Sequence, residues 1–159
     1  MAKGKVSPEL IEQFKQIVGE KYVYTDKDKL EPYSHDEVTD PHYMKEPQVV
    51  VLPATTEEVS KVVKLCYEND TVMVPRAAGT GLAAGAVATF GGVIISIERM
   101  NKILEIDKDN MVCVSEAGVT TSVLQEAVQK EGLFYGGDPC SGDSCFISGN
   151  VATNAGGNR

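Results

Sequence analysis

Four consecutive apolar residues, Val49-Val50-Val51-Leu52, stop at Pro53. A run that is apolar at every position, rather than at alternate ones, marks a strand covered on both faces, as in parallel sheets. Thr55 then offers a helix cap, and Glu58, three residues on, completes a capping box. Val59, Val62, Val63 and Cys66 recur at helical spacing and predict the buried stripe of that helix. A second strand is expected over Thr71–Val74, ended by Pro75. Strand, helix and strand in this order imply two parallel strands joined by a right-handed crossover.

The flanking segments read less uniformly. Ser7 caps an earlier helix and Pro8 suits its first position. Leu10, Ile11, Phe14, Ile17 and Val18 form its apolar stripe, and Gly19 ends it. Residues 20–47 are charged, rich in tyrosine and punctuated by Pro32, Pro41 and Pro47; they are expected to wrap a body as an irregular arm. Val93–Ile97 reads as a third strand. Ile103–Asp107 and Met111–Glu116, on either side of Lys108-Asp109-Asn110, read as a hairpin. A further helix is expected over about 121–131, with Val123, Leu124, Ala127 and Val128 inward and Glu126 paired with Lys130 outside. Gly132 closes it.

The charge balance narrows the function classes. Lys+Arg 15 against Asp+Glu 23 gives −8, which argues against a nucleic-acid surface. No run of apolar residues is long enough to cross a membrane. The segment MAKGKVSPELIEQF lacks the apolar core of a secretory signal. With two histidines, His35 and His42, little is left for zinc chemistry or a histidine base, and both sit in the polar arm. Of the 15 glycines, 12 fall in two stretches, 79–92 and 132–157. Such stretches are either long loops or places where backbone approaches something closely.

The first stretch, RAAGTGLAAGAVATFGG, follows a strand and carries no charge between Arg76 and Glu98. Small residues let successive N–H groups converge on an anion as a nest of partial positive charge. A Walker loop is excluded, because no Lys-Ser/Thr pair follows the glycines. A Rossmann turn is suggested by Gly79-x-Gly81-x-x-x-Gly85 and by Glu98 about 20 residues on, where a ribose-binding acid is expected. That turn must open a helix, however, and Gly85, Gly91 and Gly92 disfavour one. A nest loop without a helix and a plain glycine-rich crossover remain. Arg76 is divided between meeting a phosphate and pairing with a surface acid.

The second stretch adds Ser141, Asn150, Thr153 and Asn154 amid small residues. PRAAGTGLAAGA at 75–86, GGVIISIERMNKILEID at 91–107, EAGVTTSVLQEAV at 116–128 and FYGGDP…CFISGNVATNAGG at 134–157 follow in order. Together they resemble the FAD-linked 2-hydroxyacid dehydrogenases, a family that includes the glycolate oxidase FAD subunit and D-lactate dehydrogenase, within the vanillyl-alcohol-oxidase type of flavoprotein. The resemblance runs from about residue 48 to the end. It implies an α+β fold, the PCMH-type FAD-binding domain, with a small parallel βαβ lobe followed by the start of a mainly antiparallel second lobe.

Carried over residue by residue, the resemblance places Ala77, Ala78, Gly79, Thr80 and Gly81 around the FAD pyrophosphate, with Gly85 and Ala86 close by. Asp138, Pro139, Ser141, Gly149, Asn150 and Thr153 match the flavin-lining segment. Some relatives carry a flavin-bonding histidine in the phosphate loop; Thr80 stands there, which implies non-covalent FAD. Ser148 and Phe146 depart from the family's usual glycine and threonine or serine. The implied activity is oxidation of a small 2-hydroxy acid to the 2-keto acid. Electrons would pass to an acceptor other than oxygen, such as an iron–sulfur protein or an electron-transferring flavoprotein.

Residues 1–47 are expected to be a helix and arm, and 48–159 an FAD-binding domain lacking its C-terminal part. The catalytic residues and any metal are then expected beyond Arg159, with none in this chain. The fragment alone is expected to be inactive and to hold FAD weakly or not at all. The expected location is cytoplasmic, with any membrane association through a partner. The rival readings are a Rossmann-like NAD(P) domain, which requires a helix over 82–91, and a non-catalytic nucleotide-binding module. Cys140 and Cys145 lack the companions of a metal site, and Cys66 and Cys113 read as core thiols. Asp36, Glu37 and Asp40 form at most a weak cation patch.

Overall fold

The computed structural model describes residues 5–158. The chain forms two compact units, one ending at Arg99 and the other beginning at Met100. The first contains α1 (Pro8–Val18), β1 (Val23–Tyr24), α2 (Lys27–Leu30), β2 (Val49–Val51), α3 (Thr56–Glu68), β3 (Met73–Arg76) and β4 (Val93–Ser96). The second contains β5 (Ile103–Asp107), β6 (Val112–Ser115), α4 (Thr121–Lys130) and α5 (Ile147–Thr153).

Sheet order in the first unit is β1-β2-β4-β3, with β2, β4 and β3 parallel and β1 antiparallel to β2. The strands β2 and β3 are parallel as expected, but β4 lies between them. The period of two along β2 explains the unbroken apolar run. Val49 and Val51 face one core with Leu10, Phe14 and Val18 of α1 and Val62 and Cys66 of α3. Val50 and Leu52 face another with Leu30, Ala88 and Ile94. Helices therefore cover one face of the sheet. The other face is covered by residues from 20–47 and from the glycine-rich stretch.

Two expectations change here. Residues 20–47 do more than wrap the body: they supply the edge strand β1 and buried Leu30. The second strand does not stop at Pro75 but runs through it to Arg76. The carbonyls of Val72 and Arg76 accept from Val93 and Ile97, so alternate residues of β3 face β4. Pro75 faces away, on the edge of the sheet, where its missing N–H breaks no ladder bond.

Helix starts follow their sequence signals. Ser7 Oγ accepts from Leu10 N at 3.2 Å, and Thr55 Oγ1 accepts from Glu58 N at 3.2 Å. Glu58 reaches back to Ala54 N at 2.7 Å, one residue before the cap. In the second unit β5 and β6 form the expected antiparallel hairpin, with an irregularity between Ile103 and Glu105. On α4 the buried residues are Thr121, Leu124 and Val128; Val123 is half exposed, contrary to its expected inward position. The expected Glu126–Lys130 pair is not formed among the described residues; Lys108 and Glu131 pair instead.

Candidate functional site

The loop after β3 owes its shape to Arg76. This side chain is 7% exposed, at the end of the edge strand. Its Nη1 donates to the carbonyls of His35 at 2.8 Å and Ala86 at 3.1 Å, and Nη2 donates to Pro32 at 3.2 Å. It pairs with no surface acid among the described residues; it fastens the far end of the loop to the segment before β2. Burial lowers its proton affinity, while Tyr33, Asp36 and Glu98 pull that affinity back up.

Gly79 lies directly over this guanidinium. A Cβ at Gly79 would fall 2.3 Å from Arg76 Nη2, and its φ of +75° is one that L side chains rarely adopt. Both reasons for glycine are thus internal to the protein.

Among the described residues, no backbone N–H from Ala77 through Ala86 donates to a protein acceptor. A segment of this length would ordinarily satisfy its donors within the fold or in water. The Gly81 carbonyl accepts from Glu37 N at 3.0 Å, and Ala86 accepts from Arg76. The loop is therefore held by its carbonyls while its N–H groups stay available, the donor set an anion requires. No helix follows: residues 82–91 are turns and bends. That corrects the Rossmann alternative. Glu98, its candidate ribose acid, accepts instead from Tyr33 Oη at 3.1 Å and Ser96 Oγ at 3.1 Å. Burial, and then Glu98, pushes the Tyr33 hydroxyl well above its ordinary range.

Asp36 also differs from its sequence reading. It is 5% exposed rather than part of a surface patch. Its Oδ1 accepts from Val38 N at 3.0 Å, and its Oδ2 is buried with no hydrogen-bond partner. That oxygen is 3.9 Å from where a Cβ of Gly81 would lie. Asp40 caps a short turn, accepting from His42 N at 2.9 Å.

The second unit carries the other glycine-rich stretch. Its helix α5, absent from the sequence reading, starts with Ile147 N donating to Val119 and Ser148 N to Ala117. Asn150 is buried, and its Nδ2 donates to Thr121 Oγ1 at 2.7 Å. The Thr121 hydroxyl in turn bonds the Cys145 carbonyl at 3.3 Å. Thr153 Oγ1 donates to Gly149 O at 2.8 Å. Asn150 and Thr153 therefore commit their side-chain donors within the protein.

Pro139 and Ser141 build consecutive turns, their carbonyls accepting from Gly142 N and from Ser144 N and Cys145 N. Asp138 N donates to Gly156 O at 2.9 Å and Asp138 bridges to Gly157. An open cleft of about 450 Å³, lined by Gln125, Gln129, Phe134, Tyr135 and Asp138 among others, adjoins this segment. The four cysteines are free thiols.

Parallel strands followed by a helix-free, glycine-rich loop, with a hairpin and helices after them, define an α+β domain. The chain belongs to the FAD binding domain family, whose pattern matches residues 47–159. The family's cofactor is FAD, and the loop's donor set fits its diphosphate. The chain is 46% identical to D-lactate dehydrogenase of Anaerostipes hadrus over 158 residues, 98% of this chain and 32% of that protein. It is 39% identical to glycolate oxidase subunit GlcD of Bacillus subtilis over 127 residues, 80% of this chain and 27% of that one. It thus spans about a third or less of the length of these relatives. Among solved structures, alkyldihydroxyacetonephosphate synthase shares the fold with a TM-score of 0.83 at 23% identity, over 96% of this chain and 30% of that one. p-Cresol methylhydroxylase with substrate bound superposes with a TM-score of 0.69 at 27% identity, over 79% and 25% of the two chains.

Proposed function

We propose that the whole protein is an FAD-dependent dehydrogenase that oxidises a small 2-hydroxy acid to the 2-keto acid. The observation that carries the cofactor half of this reading is the run of N–H groups from Ala77 to Ala86 with no protein acceptor. The substrate class is supported by relatives that act, by name, as D-lactate and D-2-hydroxyglutarate dehydrogenases, the latter 37% identical over 150 residues.

In this reading Ala77, Ala78, Gly79, Thr80 and Gly81 hold the diphosphate through their N–H groups, with Gly85 and Ala86 beside them. Asp138, Pro139, Ser141, Gly149, Asn150 and Thr153 line the flavin. Asn150 contributes through its place in α5, because its side-chain nitrogen already serves Thr121. Bound FAD supplies the acceptor for a hydride leaving the α-carbon of the hydroxy acid. This chain binds and orients; no residue in it is assigned to proton transfer. Thr80 offers no histidine for a covalent link, so FAD is held non-covalently. The electrons leave to a protein acceptor, an iron–sulfur protein or an electron-transferring flavoprotein.

The test uses the protein at its full natural length, reconstituted with FAD and mixed without oxygen with glycolate, D-lactate or D-2-hydroxyglutarate. At least one acid should bleach the visible flavin absorbance, and acid precipitation should leave all flavin in the supernatant. Retention of the absorbance with all three acids overturns the substrate class. Flavin in the pellet overturns non-covalent binding.

A further inference from the structure

We propose that Arg76 gives the loop at 77–86 its preference for polyvalent anions, acting from beneath the backbone as a positioning residue. The proposal rests on the reading that this loop holds a diphosphate. The guanidinium is buried and lies under Gly79, so close that a Cβ there would fall 2.3 Å from Nη2 and 2.7 Å from Cζ. At that point the guanidinium lies against the loop backbone itself. Its hydrogen bonds go to the neutral carbonyls of Pro32, His35 and Ala86. Among the described residues it has no direct ion pair; Asp36 and Glu98 act on it from farther away.

A buried cation hydrogen-bonded mainly to dipoles keeps much of its field, and that field is stronger in protein than in water. The N–H groups of Ala77 to Ala86, which have no protein acceptor, add partial positive charge to the same loop. An incoming diphosphate is thus attracted by a full charge that it never touches. The geometry admits a purely mechanical role too, because the same three bonds hold the far end of the loop. Charge and clamp separate by substitution. Arg76→Lys keeps the cation and loses most of the clamp. Arg76→Gln loses the cation. Glu98→Gln removes an anion near Arg76 while keeping an oxygen for Tyr33 and Ser96 to bond.

The experiment measures calorimetric affinities of the full-length apoprotein for ADP, AMP and adenosine, with far-UV circular dichroism as the folding control. Arg76→Gln should weaken ADP by about tenfold or more, AMP by less, and adenosine not at all. Arg76→Lys should stay within about threefold of wild type for ADP, and Glu98→Gln should bind ADP about threefold more tightly. Equal losses in Arg76→Lys and Arg76→Gln overturn the proposal in favour of the clamp. Unchanged ADP affinity in Arg76→Gln overturns it outright. Where the Arg76 variants do not fold, Glu98→Gln decides, and unchanged ADP affinity there overturns it. Wild type that binds neither ADP nor FAD overturns the diphosphate reading itself, and this proposal with it.

Discussion

The Asn150 side-chain nitrogen donates to the Thr121 hydroxyl at 2.7 Å, joining α5 to the first residue of α4 inside the second unit. Both residues are buried. Asn150→Ala removes the donor and leaves a small void. The expected loss is about 1–3 kcal/mol, the cost of disrupting a buried polar pair. Urea unfolding of the protein without FAD checks it; a loss seen only with FAD present would make the residue a ligand contact instead.

Gly79 and Gly85 belong to the same loop but should respond differently to alanine. At Gly79 the φ of +75° costs about 1–2 kcal/mol for an L residue, and the new Cβ displaces Arg76. Gly79→Ala should therefore lower both the unfolding midpoint and the flavin content. At Gly85 nothing lies within 4 Å of the new Cβ and φ is not positive. Gly85→Ala should keep the wild-type midpoint, so any fall in its flavin content reports ligand contact alone.

Gly92, at φ +93°, lies against β3: a Cβ there would sit 2.2 Å from the Val72 carbonyl, which accepts from Val93 N at 2.9 Å. Gly92→Ala should push the two strands apart where their pairing begins. A loss of about 2 kcal/mol or more is expected, combining strained φ with a broken ladder bond. Hydrogen exchange should show reduced protection of the Val93 amide first.

Burial pushes the Cys66 thiol up to about 11 from its ordinary 9.0. The unfolded chain releases this proton first, so the folded state binds more protons between those values. Stability from Cys66 is fully present below pH 9 and is lost as the pH rises to about 11. Denaturation midpoints measured across that window should fall, and Cys66→Ala should flatten the part of the fall due to this thiol. In the native protein, alkylation should reach exposed Cys140 and spare buried Cys66 and Cys145.

Local features of the fold were legible because local chemistry sets them. Ser7 and Thr55 announce helix starts, and Val49 to Leu52 announce a strand with two covered faces. Spatial order was less so: nothing in Val93–Ser96 says that it inserts between β2 and β3. Pro75 misled because proline ends a central strand but not an edge one. The helix α5 escaped notice because Ser148, Gly149, Asn150 and Thr153 are weak helix formers, and bonds to Ala117, Val119 and Thr121 hold it instead. Of the candidate site, small residues marked the loop of available N–H groups. The buried guanidinium beneath it could not be read, since a lone arginine at a strand end looks the same whether it faces solvent or carbonyls.

The edge strand β3 has a consequence for self-association. Sheet edges attract other chains through open rows of donors and acceptors. On this edge the outward position at Pro75 has no hydrogen to offer, and the opposite edge, β1, is two residues long. A foreign strand would find no continuous ladder on either side. The first unit's sheet is thus poorly suited to templating aggregates.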